Sequence, residues 1–238
     1  SYLSLLLGTT ITISSNHWMM AWTGLEINTL AIIPFISKSH HPRAIEATIK
    51  YFLTQATAST LVLFSSMINA QFTGQWDLTQ LTHPSACLLL TVAIAMKLGL
   101  VPFHFWFPEV LQGSPMITAL LLSTVMKLPP ITILFLTAPS LNPTLLTTMA
   151  IASTALGGWM GLNQTQVRKI LAFSSISHLG WMAIILMYSP KLTMLTFYLY
   201  SLMTTTVFLT LNTTKTLKLP TLMTSWTKTP TLNASLML

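Results

Sequence analysis

Apolar runs of roughly membrane thickness alternate along this chain with short polar breaks. A helix that crosses a bilayer needs about 20 mostly apolar residues. Runs of that kind occupy residues 18–37, 47–70, 87–107, 116–138, 143–162, 170–188 and 192–211. Residues 1–13 form a shorter run, and a further one begins near Thr231. The pattern predicts an all-α, polytopic transmembrane helix bundle of about eight spans in a single membrane domain. The chain starts inside one apolar run without a Met and stops inside another, so a piece of a longer protein is expected.

Composition supports this class. Charged residues make up 6% and hydrophobic ones 52%. A soluble domain carries about 25% charged residues, so a water-facing surface could not be covered here. The net charge of +7 does not point to nucleic acid, because the 11 Lys and Arg are scattered and form no basic stripe. Cys87 stands alone, which excludes an internal disulfide or a Cys-ligated cluster within the chain. No CxxC, HExxH, GxGxxG or Walker pattern occurs, and His40 and His41 have no second ligand cluster. No metal and no cofactor are expected in this chain.

The polar breaks orient the bundle. One side receives Lys38, Arg43, Lys50, Arg168, Lys169, Lys215, Lys218 and Lys228, and the other only Lys191. This eight-to-one bias follows the positive-inside pattern. Arg168 and Lys169 are expected as interface anchors that contact lipid headgroups. Trp18, Trp76 and Trp226 fall near the predicted interfaces, and Gly157 and Gly161 have the spacing of close helix packing.

Three ionisable residues sit near the middles of spans: Glu26, Lys97 and Lys127. Each charge at the bilayer centre costs about 2.5–3.5 kcal/mol, so the three together cost roughly 8–10 kcal/mol unless partners or water offset it. Glu26 is a natural partner for one lysine and leaves the other unpaired. Prolines follow both lysines. Pro102 removes the donor for the carbonyl of Leu98, and Pro129 and Pro130 do the same for Val125 and Met126. A discontinuous helix is therefore predicted between Lys97 and Pro102. Pro34 frees the carbonyl of Leu30, one turn beyond Glu26. Broken helices with ionisable residues near the midplane are a transporter signature. His178 lies mid-span and is the weakest proton-transfer candidate, tolerable if bonded to a serine such as Ser174. His104 lies near one end of its span, with Trp106, Pro108 and Glu109 following.

The segments NHWMMAWTGLEINTLAIIP, KYFLTQA, KLGLVPFHFWFPEVLQG, MKLPP and RKILAFSSISHLGWM carry a resemblance over nearly the whole chain. It resembles the mitochondrial NADH–ubiquinone oxidoreductase chain 2 family, the antiporter-like subunits in the membrane arm of respiratory complex I. The segment from Pro102 to Glu109 is also similar to that of multisubunit cation/proton antiporters. The resemblance matches Glu26 to the membrane glutamate of the W-x-G-x-E motif. It matches Lys97 to the lysine of the discontinuous helix, Lys127 to the next lysine on the hydrophilic axis, and His178 to the S-x-S-H-x-G histidine. The family's further lysine, after an LAGLPP segment, has no counterpart in these residues, which leaves the exit half of the route outside them.

The resemblance implies a proton-translocating subunit of NADH:ubiquinone reductase, with no redox chemistry in the chain itself. NADH, FMN, iron–sulfur clusters and ubiquinone belong to other subunits. Partners are other membrane-arm subunits and membrane lipids, with cardiolipin a candidate and nucleic acid excluded. The location is the mitochondrial inner membrane, with the basic loops in the matrix. Burial favours a neutral lysine and a nearby carboxylate a charged one, so changing the separation of Glu26 and Lys97 is the expected lever. A stand-alone cation/proton antiporter and a non-pumping structural subunit are the rival readings.

Overall fold

The computed structural model describes residues 2–215 and 218–221. Trp226, Lys228 and the run expected near Thr231 lie outside the described residues. The described chain is helical: α1 (Tyr2–Ser14), α2 (Trp18–Ile36), α3 (Pro42–Thr73), α4 (Pro84–Leu98), α5 (Trp106–Gly113), α6 (Met116–Ser123), α7 (Leu128–Thr137), α8 (Pro143–Leu162), α9 (Val167–Tyr188) and α10 (Pro190–Thr214). Six segments are long and apolar enough to cross a membrane, with α6 and α7 counted as one. The two shorter apolar helices are α1 and α4. Together they correspond to the eight predicted runs. Strand pairing among the described residues is limited to two isolated bridges, His17 with Asp77 and Gln166 with Lys218.

The fourth run is where the helix breaks. α4 has 15 residues, a length of about 22 Å against a hydrocarbon core of about 30 Å, so it ends short of a full crossing. Gly99 stops it. Its φ of +78° is the left-handed conformation that glycine adopts without a Cβ penalty, and the N–H groups of Gly99 and Leu100 both donate to the Ala95 carbonyl. A cis Val101–Pro102 peptide follows. The Val101 N–H donates to Ser153 Oγ of α8 at 3.0 Å, which gives this buried backbone donor a partner. Helix resumes at Trp106 as α5.

A second break divides α6 from α7. Thr124 ends α6 at φ −115°, ψ −72°, and Val125–Lys127 form a tight 3₁₀ turn. Pro129 and Pro130 sit in the first turn of α7, where a missing N–H leaves nothing unpaired. The Val125 carbonyl, expected to be free, accepts from Leu128 N–H. α2 runs on through Pro34 to Ile36.

Contacts between loops group the helix ends into two sets. At one end, Trp18 N–H donates to the Trp76 carbonyl, and Leu78 N–H donates to the Asn16 carbonyl. At the other end, Arg168 reaches the carbonyls of Gln112 and Ser114, and Leu219 N–H donates to Thr165. The hydrophobic core is split accordingly. One cluster gathers Trp18, Leu78, Leu90, Ile133, Leu141 and Leu186 towards the first end. The other gathers Ile36, Tyr51, Phe107, Leu111, Val167 and Leu211 towards the second. The two helix breaks lie between them. Outward faces stay apolar, as at Leu3, Trp159, Leu162 and Tyr188, consistent with lipid as the surrounding solvent.

One expectation is corrected. Trp18 is 1% exposed, so it packs in the core and does not line the interface. Arg168, expected as an interface anchor, is oriented by the carbonyls of Gln112 and Ser114, which accept from its Nη1 at the end of α5. The packing expected of Gly157 is present: a Cβ there would lie 2.8 Å from Ser177 N of α9.

Candidate functional site

Each break carries a lysine, and the two lysines face the same space. Lys97 occupies the last turn of α4 and is 6% exposed. Stopping the helix at Gly99 releases nearby carbonyls, and side chains take them up. Trp106 Nε1 donates to the Met96 carbonyl at 3.2 Å, and Gln55 Nε2 donates to the Lys97 carbonyl at 3.4 Å. These are not the carbonyls that the proline pattern marked at the two breaks, which are those of Leu98, Val125 and Met126. Lys97 Nζ is buried with no hydrogen-bond partner among the described residues.

Lys127 ends the 3₁₀ turn and is 3% exposed. Its Nζ donates to the Tyr200 hydroxyl of α10 at 3.3 Å. It also stands 4.4 Å from the centroid of the Phe107 ring and 5.3 Å from that of Tyr200, distances at which an aromatic face attracts a cation. Lys97 and Lys127 both line one cavity, with Asn28, Thr29, Tyr51 and Gln55 among its polar walls. It leaves about 20 Å³ for the centres of water molecules, room for one or two waters with several polar partners.

Glu26 lies in the middle of α2 and is partly buried. The Thr29 hydroxyl is 3.1 Å from its Oε2, and Thr29 lines the lysine cavity. The expected ion pair with Lys97 is not formed. The only ion pairs among the described residues join Lys50 to Glu46 and Lys50 to Glu109. Glu26 is not among the residues that line the lysine cavity, and its carboxylate is engaged by Thr29 of its own helix.

His178 is placed differently from the expectation of a serine-bonded histidine inside the bundle. It is exposed on α9, and Ser174 donates instead to the Leu171 carbonyl. Its ring centroid lies 5.5 Å from that of Tyr200. Tyr200 thus contacts both Lys127 and His178. His104 is 3% exposed, with both ring nitrogens unpartnered among the described residues, and is not part of the lysine cavity.

Sequence reasoning missed Tyr200 and Gln55. Tyr200 is 3% exposed while Tyr198, two residues earlier, is 63% exposed. Nothing in the run FYLYS separates the two, since the choice rests on which face of α10 meets α6 and α9. It also missed the cluster in which Lys50 bridges Glu46 and Glu109, each at 2.5 Å. Glu46 and Lys50 have the i,i+4 spacing of a helical pair, but Glu109 comes from α5, more than fifty residues away.

Comparison with known proteins gives a consistent set of relatives. The family profile of the NADH:quinone oxidoreductase/Mrp antiporter transmembrane region matches residues 15–238. The NADH-ubiquinone oxidoreductase chain 2 of Struthio camelus is 80% identical over 238 residues, covering 100% of this chain and 69% of that protein. Among solved structures, a chain of respiratory complex I from Thermus thermophilus superposes with a TM-score of 0.81 at 32% identity, over 88% of this chain and 49% of that one. A chain of the Mrp complex from Dietzia superposes with a TM-score of 0.82 at 16% identity, over 88% of this chain and 43% of that one, and shares the fold. The chain spans about two thirds of its curated relative and about half of these structural ones.

Proposed function

Because the chain belongs to the NADH:quinone oxidoreductase/Mrp antiporter membrane family, with NADH-ubiquinone oxidoreductase chain 2 as its kind, we propose that it moves protons by passing them between Lys97 and Lys127. The observation that carries this reading is that both lysines, each at a helix break between the two hydrophobic halves of the bundle, line one cavity with room for water. Rotation of a side chain that brings its amine to this water would let a proton pass without either lysine leaving its helix. Tyr200 offers the next hydroxyl beyond Lys127 towards His178.

Glu26 supplies the control. A carboxylate bonded to a cavity-lining residue, Thr29, but not to Lys97, changes the balance of lysine protonation when its distance changes. A direct ion pair would resist that change, because separating two bonded charges in a poorly hydrated bundle is costly. The driving signal is quinone reduction elsewhere in the complex, in subunits that hold the NADH, FMN, iron–sulfur and ubiquinone sites. This chain does no redox chemistry. Its partners are the other membrane-arm subunits and lipid, its membrane is the mitochondrial inner membrane, and its basic end faces the matrix.

The test is Lys97→Ala in the assembled complex, reconstituted in vesicles. Proton uptake per NADH oxidised should fall by more than the amount of assembled complex does. Wild-type stoichiometry in that variant would remove Lys97 from the pathway.

A further inference from the structure

A second cavity, at the basic end of the bundle, has a different chemistry. It is lined by Arg43 from the start of α3, Gln112 from the end of α5, Gln166 and Arg168 from the start of α9, and Lys218. Its volume is about 210 Å³, against about 30 Å³ per water in the liquid, so it holds several waters or one phosphate group. Three of its five lining residues are cations and none is an acid.

The nearest carboxylates are already engaged. Glu46 and Glu109 line the adjoining cavity with Arg43, Gln112 and Lys169, and both are bound by Lys50. Arg43 makes no ion pair among the described residues. Arg168 is fixed in place, donating from Nη1 to the Gln112 carbonyl at 3.1 Å and the Ser114 carbonyl at 2.7 Å. Its Nε is buried with no partner among the described residues. The α9 helix begins here, and its N-cap Gln166 gives no side-chain hydrogen bond, so the positive end of the helix adds to the same field.

Three cations, one of them the anchored guanidinium of Arg168, and an uncapped helix start converge on one cavity at the end of the spans. We propose that this cavity binds a phosphate group, presented by the headgroup of an anionic phospholipid. Its place at the water-facing end of membrane helices puts it at headgroup depth, where basic pockets between helices meet lipid phosphates. A planar guanidinium suits a phosphate's oxygens, and two more cations balance its charge. The proposal does not depend on proton movement through Lys97 and Lys127.

The test uses the assembled complex, stripped of lipid and titrated with phosphatidylglycerol, phosphatidylcholine or sodium phosphate, with bound lipid read by native mass spectrometry. The Arg43→Gln/Lys218→Gln double variant changes exposed side chains and leaves the Arg168 bonds to α5 intact. Half-saturation of one phosphatidylglycerol site should rise by about fivefold for each cation removed, roughly 25-fold in the double variant. Phosphatidylcholine should not fill the site. Arg43→Lys should restore most of the affinity, which separates loss of charge from damage to the fold. Lys191→Gln, at the opposite end, should leave the titration unchanged. Equal phosphatidylglycerol binding in wild type and double variant would overturn the site. Displacement of the bound lipid by sodium phosphate at equal concentration would overturn its assignment to a lipid. An acidic polypeptide segment seated on Arg43 and Lys218 in a map of the complex would also overturn it.

Discussion

Tyr200→Phe isolates one oxygen atom. The substitution removes the hydroxyl that accepts from Lys127 Nζ at 3.3 Å and keeps the ring. Packing should survive, because the Tyr200 ring retains its contacts with Phe197 and His178, at centroid distances of 6.3 and 5.5 Å. A hydrogen bond to a charged group contributes about 1.5–3 kcal/mol. The Phe107 and Tyr200 ring faces still attract the ammonium, by about 0.5–2 kcal/mol, and that contribution persists in the variant. The net loss falls on whatever step needs Lys127 protonated next to Tyr200. At about 1.4 kcal/mol per tenfold, this corresponds to about 10- to 150-fold in the population of that state. The assay is proton uptake by vesicles holding the reconstituted complex, measured together with NADH oxidation and with the amount of complex assembled. Assembly should remain near wild type while coupled proton uptake falls at least several-fold. Tyr198→Phe, on an exposed ring of the same helix, should have no effect. Wild-type uptake and turnover in Tyr200→Phe would show that protons do not use this hydroxyl and that Tyr200 only packs.

Glu26→Gln should leave the Thr29 contact in place, since an amide oxygen can still accept, while removing the charge. Proton uptake should fall with assembly retained, and unchanged uptake would show that the Glu26 charge is not the lever. Arg168→Met removes two charge-assisted bonds at the end of α5, and the complex should lose about 3 kcal/mol or more of stability, seen as a lower melting temperature in scanning fluorimetry. Gly180→Leu places a side chain where a Cβ already lies 2.8 Å from the Ala150 carbonyl and 2.9 Å from Thr154 N, so α8 and α9 must separate. About 1–3 kcal/mol of overpacking should reduce the assembled complex on a native gel.

The membrane architecture was legible because hydropathy is local. Each apolar run of span length predicted a helix, and loops expected at the same end of the bundle bond to one another. The breaks were legible as well. A Gly and a Pro just after Lys97, and two Pro just after Lys127, interrupt the helical ladder wherever those residues fold. Local reading went wrong on what meets the breaks. Prolines were expected to free the carbonyls of Leu98, Val125 and Met126, but Leu128 N–H takes the one at Val125, and at α4 it is the unmarked Met96 and Lys97 carbonyls that Trp106 and Gln55 reach. Opposite charges in neighbouring spans suggested an ion pair, yet Glu26 bonds to its own helix.

Hydropathy and helix continuity are properties of consecutive residues, so the chain's order of polar and apolar positions was enough to set Glu26, Lys97 and Lys127 within apolar runs and to break the helices beside both lysines. Rotation of each helix about its axis is settled by packing against partners distant in sequence. That rotation put both lysines on one cavity, chose Tyr200 over Tyr198 as the partner of Lys127, turned His178 outward, and brought Arg43, Arg168 and Lys218 together from three separate segments.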